Sequence, residues 1–384
     1  MTVIDVDTHW ESSHFAPGEH PLEPWRDQLP PQDVEWLAHA IAGDLLRALP
    51  EDRRPDGRTL LPELVKMAEQ RGGPVILHPV HDSTSAERIA WMDGVGIDHC
   101  LVNPGGYWLD LEFFGAERTP AAARCNDYLA DQLADDADRL HGVAVLDLTD
   151  LPGAARELER ARARGHRAFF LYALKGRPPG DVAPGHPAWD VVWSAAVDLG
   201  MVAVIHVGNT VADFGGWADI GWDQPGGGGP RALTRLANSK RIHVAQDMLV
   251  SLLYGGVFAR HPNLTVLLEE MKIGWLPWFV ESTSRQALPS PALGDWPYDV
   301  RGADMLRRNV RITPLPGFGD SDALDVLLQL PEMCLFSSDY PHQEGNADPI
   351  NLYGAALDKV EDEVRTSFLG TNAADCFARM GDPL

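Results

Sequence analysis

The sequence predicts an α/β fold of the (β/α)8 barrel kind, and two observations carry that expectation. Eight short runs rich in β-branched residues recur along the chain, most of them continuously apolar rather than alternating. Strands buried on both faces of a parallel sheet read this way. Helical patterns lie between most of these runs, as a chain of βα units requires. A doubly wound open sheet competes with the barrel, and periodicity alone does not separate the two.

The first strand is Val3 to His9. A long segment follows before the second strand and contains Trp25, Trp36, many prolines and helical pieces at Asp33–Leu49 and Leu61–Gln70. Residues 11–95 therefore read as an insertion over the barrel mouth, within one domain spanning 1–384. The second strand is His99 to Pro104. Arg124–Leu140 reads as a helix with Leu129, Leu133, Ala137 and Leu140 on one face, before strand three at Gly142–Leu148. Leu151–Arg164 has Ala-, Glu- and Arg-rich helix composition, with Gly165 as its C-cap, before strand four at Arg167–Tyr172. Pro187–Leu199 is a helix opened by proline and closed by Gly200. Strand five is Val202–Gly208. The Gly-rich run Pro225–Pro230 after it reads as a tolerated surface loop ahead of a lid. Strands six, seven and eight are Leu264–Glu270, Val310–Thr313 and Cys334–Asp339. The 36 glycines and 30 prolines fit many short, punctuated loops.

Composition narrows the partners. The chain has 384 residues, 45% hydrophobic and 23% charged, which is globular rather than disordered. With 32 basic against 56 acidic residues the net charge is −24. Such a chain repels phosphate backbones and anionic lipid, so neither nucleic acid nor a membrane surface is expected. The N-terminus shows no secretory pattern, and no run approaches the ~18 apolar residues of a membrane span. Cys100, Cys125, Cys334 and Cys376 are far apart and read as small buried hydrophobes in a reducing, cytoplasmic setting.

Active-site groups of a parallel barrel collect at the C-terminal ends of its strands. Strand one ends Asp5-Val6-Asp7-Thr8-His9, and residues two apart share a side, so Asp7 and His9 can face one cation. Strand five ends at His206, strand six at Glu269-Glu270, and strand eight at Asp339, with His342 just beyond. Taken singly, each reads as a capping or hydrogen-bonded structural residue. Asp7, His9, His206 and Asp339 together, at the right ends of one barrel, point to a metal site with open positions.

The strings Asp5-x-Asp7-x-His9, VIHVGN at strand five, GGVFARHPNLTVLLEE…IGWLPW across strand six and LFSSDYPHQEG at strand eight resemble the amidohydrolase-related family. That branch of the amidohydrolase superfamily includes aminocarboxymuconate-semialdehyde decarboxylase and aromatic-acid decarboxylases. The resemblance implies a TIM-type barrel with one catalytic divalent metal, often zinc or manganese, held by Asp7, His9, His206 and Asp339. Two departures stand out. Many relatives carry His-x-His on strand one, where Asp7 stands first here. Decarboxylases of the branch carry a catalytic His after strand six, where this chain has Glu270.

These departures make the site harder and more anionic, which suits manganese or iron. Asp7, Glu11, Glu270 and Asp339 with His9, His206 and His342 exceed what one open metal needs, and close carboxylates repel unless neutralised. A two-metal site follows as an alternative, including two irons able to activate dioxygen. Glu11 and Glu269 read equally as hydrogen-bond or ion-pair partners. Glu270, His342, His243 and Glu11 are the candidate catalytic residues, and Glu270 is also a candidate ligand. For His243, near a helix start, the simpler reading is a solvated or capping residue. Trp10, Trp108, Trp217, Trp222, Trp275 and Trp278 could wall an apolar pocket for a hydrophobic organic acid. The expected activity is metal-dependent decarboxylation or hydrolysis of such an acid, with an iron or diiron monooxygenase as the alternative. The elaborated first loop offers a homodimer contact.

Overall fold

The computed structural model describes residues 1–10, 84–104, 118–172, 177–207, 229–283, 296–315, 323–342 and 345–384, with only the backbone at 229–241 and 323–324. Most of the expected insertion, including Glu11 and both of its helical pieces, lies outside the described residues. So do the glycines at 226–228, Trp108, Trp217 and Trp222.

Seven strands pair in parallel in strict chain order: β1 (Ile4–Trp10), β2 (His99–Pro104), β3 (Leu140–Ala144), β4 (Ala168–Phe170), β5 (Val202–His206), β6 (Val266–Glu269) and β7 (Val310–Ile312). Nearly every residue of these strands is buried, as the apolar runs required. The eighth expected strand does not form a ladder. Residues 334–340 instead join β7 by one bond and β1 by three. Leu335 N–H donates to the Ile312 carbonyl of β7 at 2.9 Å, and Asp339 N–H donates to the Asp7 carbonyl of β1 at 2.9 Å. Val6 N–H reaches Phe336 O and His9 N–H reaches Tyr340 O. One segment bonded to both the first and last strand closes the sheet, which excludes the open doubly wound alternative.

The helix before β3 and β3 itself both begin earlier than expected. The helix after β2 runs Arg118–Leu133, followed by a short 3-10 turn at Ala134–Asp136, and Leu140 already pairs with Cys100 in β3. Asp135, Asp136 and Asp138 would set negative charge against the carbonyl end of a longer helix, which is unfavourable. Helix Leu151–Ala163 buries Ala154, Ala155, Leu158 and Ala161. Helix Asp190–Leu199 buries Val192, Trp193 and Ala196 and ends at Gly200 with φ 72°, as the sequence suggested. The four cysteines are buried and none is in a disulfide. No helix among the described residues is long and apolar enough to cross a membrane.

At the N-terminal ends of the strands, His99 Nδ1 lies 3.2 Å from His141 Nε2. Burial, together with Arg167, His99 and Arg162, pushes the His141 imidazole down to about 3. The unfolded chain takes up that proton near pH 6.5 and the folded chain does not, so this residue costs stability as pH falls from about 6.5 towards about 3. We expect His141→Gln to lose less stability on acidification than the wild type. Urea midpoints at neutral pH and about two pH units lower check this. Equal acid slopes in the two proteins would remove His141 as the cause.

Candidate metal centre

Each functional side chain sits where a strand delivers it. Asp7 and His9 lie on one side of β1, and His206 is the last residue of β5. Glu270 follows β6 directly, Asp339 lies on the closing segment and His342 two residues beyond its end. Glu270 and Asp339 both have left-handed backbones, with φ 56° and 55°. That conformation costs a non-glycine residue about 1–2 kcal/mol, and such strain gathers where a side chain must be aimed. Gly345 backs this turn. A Cβ there would lie 2.3 Å from the Asp339 carbonyl oxygen, so only glycine lets the chain pass so close.

The donors converge. His9 Nε2 lies 3.2 Å from Asp339 Oδ1, 3.3 Å from Asp7 Oδ1 and 3.6 Å from Glu270 Oε1. His206 Nε2 lies 3.5 Å from both Asp7 Oδ1 and Glu270 Oε1. His342 Nδ1 lies 2.8 Å from Asp339 Oδ1 and 3.7 Å from Glu270 Oε1, and its ring stacks on His9 at 3.8 Å. Neighbouring donors around an ion with bonds of about 2.1 Å are about 3.0 Å apart in an octahedron and about 3.4 Å in a tetrahedron. The observed spacings bracket those edges. The six side chains fall into two quartets able to hold an ion, Asp7–His9–His206–Glu270 and His9–Glu270–Asp339–His342.

The polar atoms at the centre lack ordinary partners. Asp7 Oδ2, His9 Nε2, His206 Nε2, Glu270 Oε1 and both Asp339 oxygens are buried and make no hydrogen bond. Buried polar atoms in native proteins are almost always satisfied, and a cation would satisfy all of these. His206 Nδ1 faces the Val207 carbonyl. A carbonyl only accepts, so Nδ1 carries a proton and Nε2 is the nitrogen left to bind an ion at the centre.

The electrostatics are those of a site that attracts cations. Burial opposes charge on Glu270, but the His206, His342 and His9 imidazoles overcome it and hold the carboxyl well below its usual range. Burial likewise raises Asp7, but the His206 and His9 imidazoles more than reverse it. Burial and the His342 charge would lower His9, yet Asp339, Asp7 and Glu270 raise it to about 10. Burial and the Glu270 charge push Asp339 up, and burial and the Asp7 charge push Glu269 up. In the bare protein, protons therefore occupy the places a metal would take, and imidazole ligands must give them up for it to bind.

Of the candidates from the sequence, Asp7, His9, His206, Glu270, Asp339 and His342 come together. His243 is exposed on helix Gly229–Tyr254 and belongs to neither quartet. Trp10 is buried, while Trp278 is 67% exposed. Glu269 stands behind the centre as a hydrogen-bond partner, one of the two readings the sequence allowed. Sequence reasoning missed Asn103, whose amide donates to Asp7 Oδ1 at 2.9 Å and to Glu269 Oε2 at 3.1 Å. Its signal was a polar residue after the apolar run Cys100–Val102 of β2. Asp5 was also missed. Its Oδ1 accepts from Asp7 N–H and Ser338 N–H, tying β1 to the closing segment. Arg88 was the third omission. It donates to the His9 carbonyl and lies among the Trp10, Trp91 and Tyr340 rings. We expect Asn103→Ala to weaken metal affinity about 10–100-fold, the usual cost of freeing a ligand's supporting bond. Competition against a metallochromic chelator measures it, and an unchanged affinity would show that Asp7 needs no such hold.

The comparisons with known proteins agree with this architecture. The family model described as Amidohydrolase matches residues 4–379. A gamma-resorcylate decarboxylase of Rhodococcus jostii is 26% identical over 266 residues, covering 67% of this chain and 76% of that protein. Among solved structures, an amidohydrolase from Mycobacterium avium subsp. paratuberculosis superposes with a TM-score of 0.65 at 20% identity, covering 98% of this chain and 99% of that one. A dihydroxybenzoic acid decarboxylase from Polaromonas, solved with bound manganese and 2-nitroresorcinol, superposes with a TM-score of 0.60 at 18% identity, covering 98% and 97%. With a family match over nearly its whole length and a barrel closed as described, this chain belongs to the amidohydrolase family.

Proposed function

We propose that this chain is a metal-dependent enzyme that decarboxylates a hydrophobic or aromatic carboxylic acid, with hydrolysis as the other reaction open to the same centre. The observation that carries the reading is the convergence of buried, unsatisfied imidazole and carboxylate atoms at strand ends with ion-cage spacing. The relatives that decarboxylate aromatic acids support the substrate class. Asp7, His9, His206 and Asp339 would hold the ion, with Glu270 against it; manganese and zinc both suit such a set, and the carboxylates favour manganese. A bound divalent ion supplies a Lewis acid for the substrate's carboxylate oxygens. In this one-ion form His342 stands at the mouth, its Nδ1 2.8 Å from Asp339 Oδ1, and relays the proton that replaces carbon dioxide on the substrate carbon.

A second reading, oxidation at iron, is favoured by the oxygen-rich donor set of three carboxylates beside three imidazoles. One set of assays separates the three. The enzyme is loaded with manganese, zinc or iron and offered aromatic acids. Carbon dioxide release without oxygen supports decarboxylation, and hydrolysis of an ester or amide of the acid without either gas supports hydrolysis. Oxygen uptake that needs iron and a reductant supports oxidation. No turnover with any of the metals would overturn the metal-dependent reading.

A further inference from the structure

Six buried or nearly buried donors meet in one mouth, three carboxylates and three imidazoles, and they form two quartets rather than one cage. We infer that the mouth holds two divalent cations, one on Asp7, His9 and His206 and one on Asp339 and His342, with Glu270 shared between them. The inference rests on the metal-dependent reading above and changes two roles in it: His342 becomes a ligand rather than a proton relay, and Asp339 serves the second ion rather than the first.

Lone-pair counting decides which residue is shared. His9 and Glu270 belong to both quartets. An imidazole nitrogen offers one lone pair and serves one ion, whereas a carboxylate has two oxygens and can serve two. Glu270 Oε1 lies 3.5–3.7 Å from His206, His9 and His342, so it already stands between the two sets. Glu270 and Asp339, the two carboxylates of the second half-site, both have left-handed backbones. Carboxylate-bridged pairs of ions about 3.5–4 Å apart are an established catalytic arrangement.

Charge points the same way. Asp7, Glu270 and Asp339 are three formal negative charges in a buried site. One divalent ion with Arg88, held on the His9 carbonyl, neutralises them, and an entering carboxylate would then be an unpaired buried charge. A second divalent ion leaves the mouth positive and able to take an anionic acid. The two half-sites also differ in saturation. The first has four protein ligands. The second has three, Glu270, Asp339 and His342, which is how catalytic sites keep a position open. His342 is the one partly exposed member, so the second ion faces the mouth and would take the substrate's carboxylate.

The test is manganese(II) itself, titrated into the chelator-stripped full-length protein without oxygen and read by elemental analysis and electron paramagnetic resonance. We expect about two manganese ions per chain in the wild type, with the broadened signal of an exchange-coupled pair. His342→Ala and Asp339→Asn should each fall to about one ion with the sharp pattern of an isolated ion. Circular dichroism confirms that each variant is folded, and the wild-type count needs no variant. A wild type that saturates at about one uncoupled ion, with His342→Ala keeping that ion while turning over slowly, overturns the inference and leaves the one-ion function standing. Binding of no manganese in the wild type would remove both.

Discussion

His206→Ala should lose its metal and with it about a thousandfold in kcat/KM on the aromatic acid. The imidazole is the last residue of β5, and its Nδ1 proton on the Val207 carbonyl fixes Nε2 towards Asp7 and Glu270. No neighbouring donor can move into its place, because the adjacent strand ends are held in register, with His206 opposite Glu269. Lewis-acid stabilisation supplies several kcal/mol, and each 1.36 kcal/mol is a factor of about ten in rate. The fold should survive, since the variant trades a buried polar ring for a methyl group at the open end of the barrel. Elemental analysis, activity and a melting curve on the same sample check all three statements. Full metal content in this variant would show that the centre lies elsewhere.

Glu270→Gln should be nearly as damaging, by about a hundredfold or more in activity, while Glu270→Asp recovers part of the loss. The glutamine keeps the volume and the left-handed backbone demand but removes the charge that the His206, His342 and His9 imidazoles surround. Its amide would also place a donor where an acceptor is required. Aspartate restores the charge on a shorter arm, so recovery separates an electrostatic or ligand role from one of shape. Lost metal together with lost activity identifies Glu270 as a ligand. Retained metal with lost activity identifies it as the proton-transferring base, for which factors of about a hundred to ten thousand are usual. Unchanged activity in the glutamine variant removes it from both roles.

Much of this protein was legible in the sequence, because strands buried on both faces announce themselves as apolar runs and strand alternation is local. The places of β1 to β7, the pairing of Asp7 with His9 on one side of β1, and His206 at the end of β5 all follow from rules that act within a few residues. So did the candidacy of Asp339 and His342, which a short, unusual string marks out.

Other features were decided only by tertiary structure. Asn103 reads as one polar residue among many until β2 lies beside β1 and its amide reaches Asp7. Glu269 and Glu270 are adjacent and chemically alike. The end of β6 and a left-handed turn send one behind the centre and the other into it. His243 had the right chemistry, but its helix leaves it exposed. The closing segment passes for a strand by composition, yet it joins β7 and β1 by isolated bonds, because its job is to shut the barrel and present Asp339. Composition and periodicity fix what a residue can do and which side of its own element it faces. Which of two facing elements supplies the partner, and whether two donors hundreds of residues apart come within one coordination sphere, depends on how the barrel closes.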